Sequence, residues 1–135
     1  MSRSIESHAM IHCAYFFATR IPGTEIISFT RTSLTVKSSD ELEAEMGAFE
    51  EHWAHVLREE HDVLLDLRAE PTLEDAELQK AYRDRRDALV RGFRRAAVLS
   101  TRDEERSHFE AAFPSIGSDA RLFSAEGAAF DWLGS

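Results

Sequence analysis

Two short aliphatic runs constrain this chain most: "DVLLDLR" (62–68) and "RRAAVLS" (94–100). Each is continuous rather than alternating, as suits a strand covered on both faces. A helical pattern follows each run. "TLEDAELQKAYRDRRDALVRGF" (72–93) puts Leu78, Ala81, Tyr82 and Leu89 on one face, and "TRDEERSHFEAAF" (101–113) opens with acidic residues. Strands alternating with helices imply parallel pairing through right-handed crossovers.

The flanking stretches extend this pattern. "IHCAYFFATR" (11–20) and "EIISFTRTS" (25–33) are β-rich, and Pro22 and Gly23 between them make a turn, so the pair reads as an antiparallel hairpin. "SSDELEAEMGAFEEHWAHVLREE" (38–60) reads as one long helix with Ser38 or Ser39 as its cap. Its stripe is Leu42, Met46, Phe49, Trp53, Val56 and Leu57. Thr72 is placed to cap the next helix, and Gly92 to end it. Thr101 and Glu104 have capping-box spacing, and Pro114 is expected to stop the third helix. "ARLFS" (120–124) reads as a last strand, and Ser124 as the cap of a short final helix. The expectation is a single α/β domain over 8–135, with a mixed sheet and the order β-β-α-β-α-β-α-β-α. Residues 1–7 read as a loose terminus.

Charge narrows the function. The net charge of −9 opposes binding to nucleic acid or to an anionic membrane surface. It is unevenly spread: nine acidic residues against Arg58 between Asp40 and Asp62, and seven basic residues against two acidic ones between Lys80 and Arg95. Two patches of opposite sign steer a partner, favour self-association, or are simply two solvated helix faces. The lone cysteine, Cys13, excludes an intrachain disulfide, and a reducing cytoplasmic setting is the simplest home. The apolar run around it is too short to span a bilayer.

The hairpin and long helix, then "LLDLR", "FRRAAVLS" and "ARLFSAEGAAFDWL", resemble the STAS domain in its SpoIIAA-like, SEC14-like branch, over roughly residues 10 to 134. The resemblance implies a non-catalytic module that binds protein partners. Some members are switched by phosphorylation of a serine just after the strand equivalent to "VLLDLR". Here that region reads "RAEPTLED", without a "DSSG"-like motif, and Thr72 is the hydroxyl nearest the matching place. The branch also implies binding of small apolar molecules.

Candidate sites follow from the strand ends. Period-two alternation puts Asp66 and Arg68 on one face near the carboxyl end of their strand, where open α/β sheets bind ligands. Thr101 and Ser124 follow the next two strands, so a rim of charged and hydroxyl groups is expected; helix capping accounts for the hydroxyls equally well. Arg85 falls on the apolar face of its helix and needs a partner, for which Asp66 is a candidate, or a path to water. Phe49, Trp53 and Tyr82 either line an apolar pocket or belong to an ordinary core. His52 and His55 lie three apart near carboxylates, but the spacing is not H-E-x-x-H and no second ligand cluster accompanies them, so no metal is expected. No nucleophile elbow, P-loop or dinucleotide fingerprint is present, and no cofactor is expected. Three functions are consistent with this: a non-enzymatic regulatory or adaptor module with a protein partner, as a monomer or a homodimer; a module for a small apolar ligand; and a small enzyme using the Asp66–Arg68 strand end.

Overall fold

Strand order follows chain order. The computed structural model describes residues 11–117 and 119–135; the expected loose terminus at 1–7 lies outside them. The elements are β1 (Ile11–His12), β2 (Phe16–Arg20), β3 (Ile26–Arg31), α1 (Ser39–His52), a 3-10 turn (Arg58–Glu60), β4 (Asp62–Asp66), α2 (Ala76–Val90), β5 (Arg95–Leu99), α3 (Asp103–Ile116), β6 (Asp119–Phe123) and α4 (Glu126–Leu133). The sheet runs β1-β2-β3-β4-β5-β6. Its first three strands pair antiparallel, and β3 to β6 pair parallel.

That order fixes the layers. Consecutive neighbours joined by right-handed crossovers place every crossover helix on the same face. α1, α2 and α3 accordingly pack Leu42, Met46, Phe49, Tyr82, Leu89, Val90 and Phe109 against the same sheet face as Phe16, Phe29, Val63, Leu65, Ala96 and Val98. α4 follows the last strand, spans no crossover, and covers the opposite face with Ala129 and Leu133 against Ile26, Leu64, Ala97 and Leu99. Leu64 and Leu65 thus enter different cores, which is why their strand reads as a continuous apolar run.

The expected mixed sheet and element order are present, with one addition. The run 11–20 is two strands, folded back where the Cys13 N–H donates to the Phe16 carbonyl (2.8 Å). The first helix is shorter than its pattern suggested, ending at His52 instead of continuing to 60. Trp53 turns into the core beside Phe29, with ring centroids 5.6 Å apart. The chain must then reverse to enter β4. Arg58 holds that reversal by donating to the carbonyls of Ala88 (2.9 Å) and Arg91 (2.7 Å) near the end of α2. Leu57, read as part of the apolar stripe, is 54% exposed.

Helix boundaries correct several further expectations. Ser38 does cap α1, accepting from the Glu41 N–H at 3.1 Å. α2 is capped by Asp75 rather than Thr72, its carboxylate accepting from the Leu78 N–H at 2.9 Å; a carboxylate is the stronger acceptor, and the Thr72 hydroxyl is engaged by Arg102. α3 begins after Arg102, not Thr101, because the Ser100 hydroxyl accepts from the Arg102 N–H (3.3 Å) and holds the preceding turn. α4 begins after Ala125, without a side-chain cap from Ser124. α3 also runs through Pro114 to Ile116 and stops at Gly117, whose φ of 75° favours glycine. Pro114 forfeits one hydrogen bond in the last turn, and full burial of Ile116 offsets it.

Candidate functional site

The carboxyl ends of the parallel strands form one rim, and two charged assemblies are built on it. The first is Asp66 with Arg68. Arg68 donates from Nη2 to Asp66 Oδ2 (2.8 Å) and from Nε to Oδ1 (3.1 Å), and its backbone N–H also donates to Oδ1 (3.1 Å). Burial pushes the Asp66 carboxyl up, but the Arg68 hydrogen bonds and charge outweigh it and hold the group below its ordinary value. A carboxylate closed in this way is a poor general base. The Arg68 side chain remains 44% exposed, with Nη2 3.6 Å from Glu126 at the start of α4.

The second assembly lies beneath the rim, between α2 and α3. Its centre is Arg86, fully buried although it carries a charge. Arg86 Nη1 meets both oxygens of Glu70 (3.0 and 2.9 Å), and Nη2 lies 2.7 Å from Glu105 Oε1. Tyr82 donates a short hydrogen bond to Glu70, and Arg31 Nε donates to Tyr82 Oη at 2.9 Å. Arg83 reaches Glu105 at 2.7 Å. Arg102 closes the cluster from outside, contacting Glu70 Oε1 and Glu105 Oε2 (both 3.2 Å), the Glu70 carbonyl (3.1 Å) and the Thr72 hydroxyl (3.2 Å). The faces of Phe109 and Tyr82 lie 4.7 and 5.5 Å from the Arg86 guanidinium, favourable for a desolvated cation.

Four guanidiniums around two buried carboxylates leave an excess of positive charge in an otherwise acidic chain. The network joins β3, the loop after β4, α2 and the start of α3. It therefore fixes the loops that carry Arg68, Thr72 and Arg102, and so the shape of the rim.

This network sets an acid limit. Burial pushes the Glu105 carboxyl up, but Arg86 and Arg83 hold it down to about 2, against 4.5 for an ordinary glutamate. The unfolded chain binds this proton at higher pH than the folded one. The stabilisation is complete above about pH 4.5 and is lost as pH falls toward 2. Its size is on the order of 3 kcal/mol. Urea unfolding at pH 5 and pH 2.5 is expected to show this loss in the wild type and a shallower loss in Glu105→Gln.

The candidates read from sequence separate into three places. Asp66, Arg68, Thr72, Thr101 and Ser124 all lie at the carboxyl ends of the strands; Asp66 pairs with Arg68, which also reaches Glu126, and Thr72 accepts from Arg102, whereas Thr101 and Ser124 are exposed. Arg85 is not bound to Asp66. It faces α1, paired with Glu43 and with Glu50 (3.1 Å), so the opposite charge patches partly neutralise each other across two neighbouring helices. Phe49, Trp53 and Tyr82 are buried in the main core. His52 and His55 are exposed, and among the described residues no group of three or more His, Cys, Asp or Glu side chains is placed to hold a metal.

Arg86, Glu70, Glu105 and Arg31 escaped the sequence reading. Arg85 sits nearer the middle of the apolar stripe than Arg86. α2, however, is flanked by α1 on one side and α3 on the other, which rotates its most buried line toward α3. The one available signal was Arg86 four residues after Tyr82, on the same helix face.

No family model and no curated protein matches this sequence. Among solved structures, the fold is similar to an uncharacterized protein of the DUF3478 family from Shewanella loihica PV-4, described as having a SpoIIAA-like fold. The TM-score is 0.63 at 18% identity, covering 93% of this chain and 97% of that one. Among the described residues, no helix is long and apolar enough to cross a membrane. The chain has a SpoIIAA-like α/β fold: among the described residues, a mixed six-stranded sheet with three helices on one face and one on the other.

Proposed function

We propose that this chain is a non-enzymatic regulatory or adaptor module, working in the cytoplasm, that binds a protein partner through the carboxyl rim of its sheet. The observation that carries this reading is the construction of the rim. Exposed Arg68, Thr72 and Thr101 stand on loops fastened from below by the Arg86 network, and exposed Ser124 follows β6 on the same rim. The one acid at the strand end is occupied by Arg68, which favours a recognition surface over a reaction centre. Thr72 is the candidate for modification on that surface. A phosphate there would bring about two negative charges to Arg102, whose guanidinium also holds Glu70 and Glu105.

The test is co-purification from the native host with a tagged chain. A partner held by the wild type is expected to be lost with Arg68→Glu combined with Thr101→Tyr and Ser124→Arg. It is expected to be retained with Glu25→Lys, a control away from that rim. Equal retention by both variants removes the rim reading.

A second reading, binding of a small apolar ligand, is favoured by a place other than the buried Phe49, Trp53 and Tyr82. An open, mostly apolar notch of about 310 Å³ is lined by His12, Cys13, Phe17 and Thr32. A co-purified small molecule displaced by Phe17→Glu would support it.

A further inference from the structure

The sheet has two edges, and they differ. At one edge, β1 spans two residues. At the other, β6 spans five and, among the described residues, pairs on one side only, with β5. The Phe123 carbonyl accepts from the Ser100 N–H at 3.0 Å, so Phe123 turns its backbone groups toward β5. In a parallel ladder both groups of a residue point to the same neighbour, and direction alternates along the strand. Asp119 and Arg121 therefore also face β5, while Ala120 and Leu122 point their N–H and C=O groups outward. Among the described residues those outward groups bond to nothing.

The side chains on this edge also have unspent charge. Asp119 and Arg121 are both exposed and lie on the sheet face that carries α4. Neither makes an ion pair among the described residues; Arg121 instead lies over the Trp132 ring, 5.0 Å from its centroid. An unpaired edge is a template for another strand, which natural proteins cover, pair or protect.

We propose that β6 pairs antiparallel with β6 of a second copy, about a two-fold axis at Ala120. Centred there, the Ala120 residues of the two copies exchange both outward hydrogen bonds. Asp119 of each copy lies directly opposite Arg121 of the other, giving two opposite-charge cross-strand pairs. The competing registers are poorer. Centring on Arg121 sets two arginines against each other, and centring on Leu122 leaves Asp119 without its partner. The product is one continuous sheet of two chains. The contact is short, well below the area of a stable dimer, so the association is weak and concentration-dependent. It leaves the carboxyl rim free and is independent of any partner bound there.

The experiment is sedimentation velocity on the purified full chain from about 10 μM to about 1 mM, the range where a contact this small is populated. The wild type is expected to move from monomer toward dimer. Arg121→Asp, which sets acid against acid, is expected to weaken association about tenfold. Asp119→Arg combined with Arg121→Asp restores the opposite-charge pairs and is expected to restore the dimer. Ala120→Pro removes the outward N–H and is expected to leave a folded monomer by circular dichroism. If Ala120→Pro does not fold, the charge series alone decides. A wild type that stays monomeric throughout overturns the proposal. So does a dimer unchanged by Arg121→Asp, or one that the double swap fails to restore.

Discussion

Replacing Arg86 with alanine is expected to lower the unfolding free energy by about 3–5 kcal/mol. The size follows from what is left behind. Glu70 and Glu105 are buried beside Arg86, and its two terminal nitrogens reach one carboxylate each. Without the guanidinium both carboxylates keep their desolvation cost and lose their nearest compensating charge. Arg102 and Arg83 approach from the outer side and replace only part of it. Two-state urea unfolding at pH 7 measures the effect. A loss below about 1 kcal/mol would mean that water reaches the cluster and the network is not closed. Replacing Arg86, Glu70 and Glu105 together by methionine and leucine is expected to be milder, because Arg83 and Arg102, which lose their carboxylates, are partly exposed and reach water. The same triple variant separates stability from recognition: if the network serves to shape the rim, partner binding falls while the fold survives.

Phe29→Ala is expected to destabilise the protein by a similar amount, about 3–5 kcal/mol, by a different mechanism. Phe29 is fully buried at the centre of an aromatic cluster, with ring centroids 5.6 Å from Phe49, 5.6 Å from Trp53 and 6.2 Å from Phe93. These contacts bring together β3, the end of α1, the turn that leaves it, and the entry to β5. Truncation removes the transfer free energy of the ring and opens a cavity that three further rings line. Tryptophan fluorescence reports the change directly, because Trp53 loses an edge-on neighbour. Phe29→Leu keeps most of the volume and is expected to cost under about 1.5 kcal/mol. Equal losses for leucine and alanine would show that ring geometry rather than filled volume holds the cluster.

The sequence carried local information faithfully where one residue decides the outcome. Gly23 and Gly92 mark chain reversals because positive φ favours glycine, and Ser38 caps α1 because its side chain accepts from an N–H three residues ahead. It misled where two candidates compete for the same job. Thr72, Thr101 and Ser124 all had the right chemistry to cap a helix. Asp75 displaced the first, the turn held by Ser100 displaced the second, and α4 begins after Ala125 without a side-chain cap. It was silent on the site's buried half. Glu70 and Glu105 look like surface acids in a chain rich in them, and only the approach of α3 to α2 turns both toward one arginine.

Sequence alone therefore determined the element order, the parallel class of the central strands and the aliphatic strands that would be buried. These rest on side-chain periodicity and backbone preference, which are properties of neighbours along the chain. Tertiary structure decided which face each helix covers, which arginine is enclosed and which edge is left open. Those depend on strand order and helix rotation, set by packing among residues that are distant in sequence. Strictly sequential strand order places three helices on one face and α4 on the other. From that follow the Arg86 enclosure between α2 and α3 and the open flank of β6.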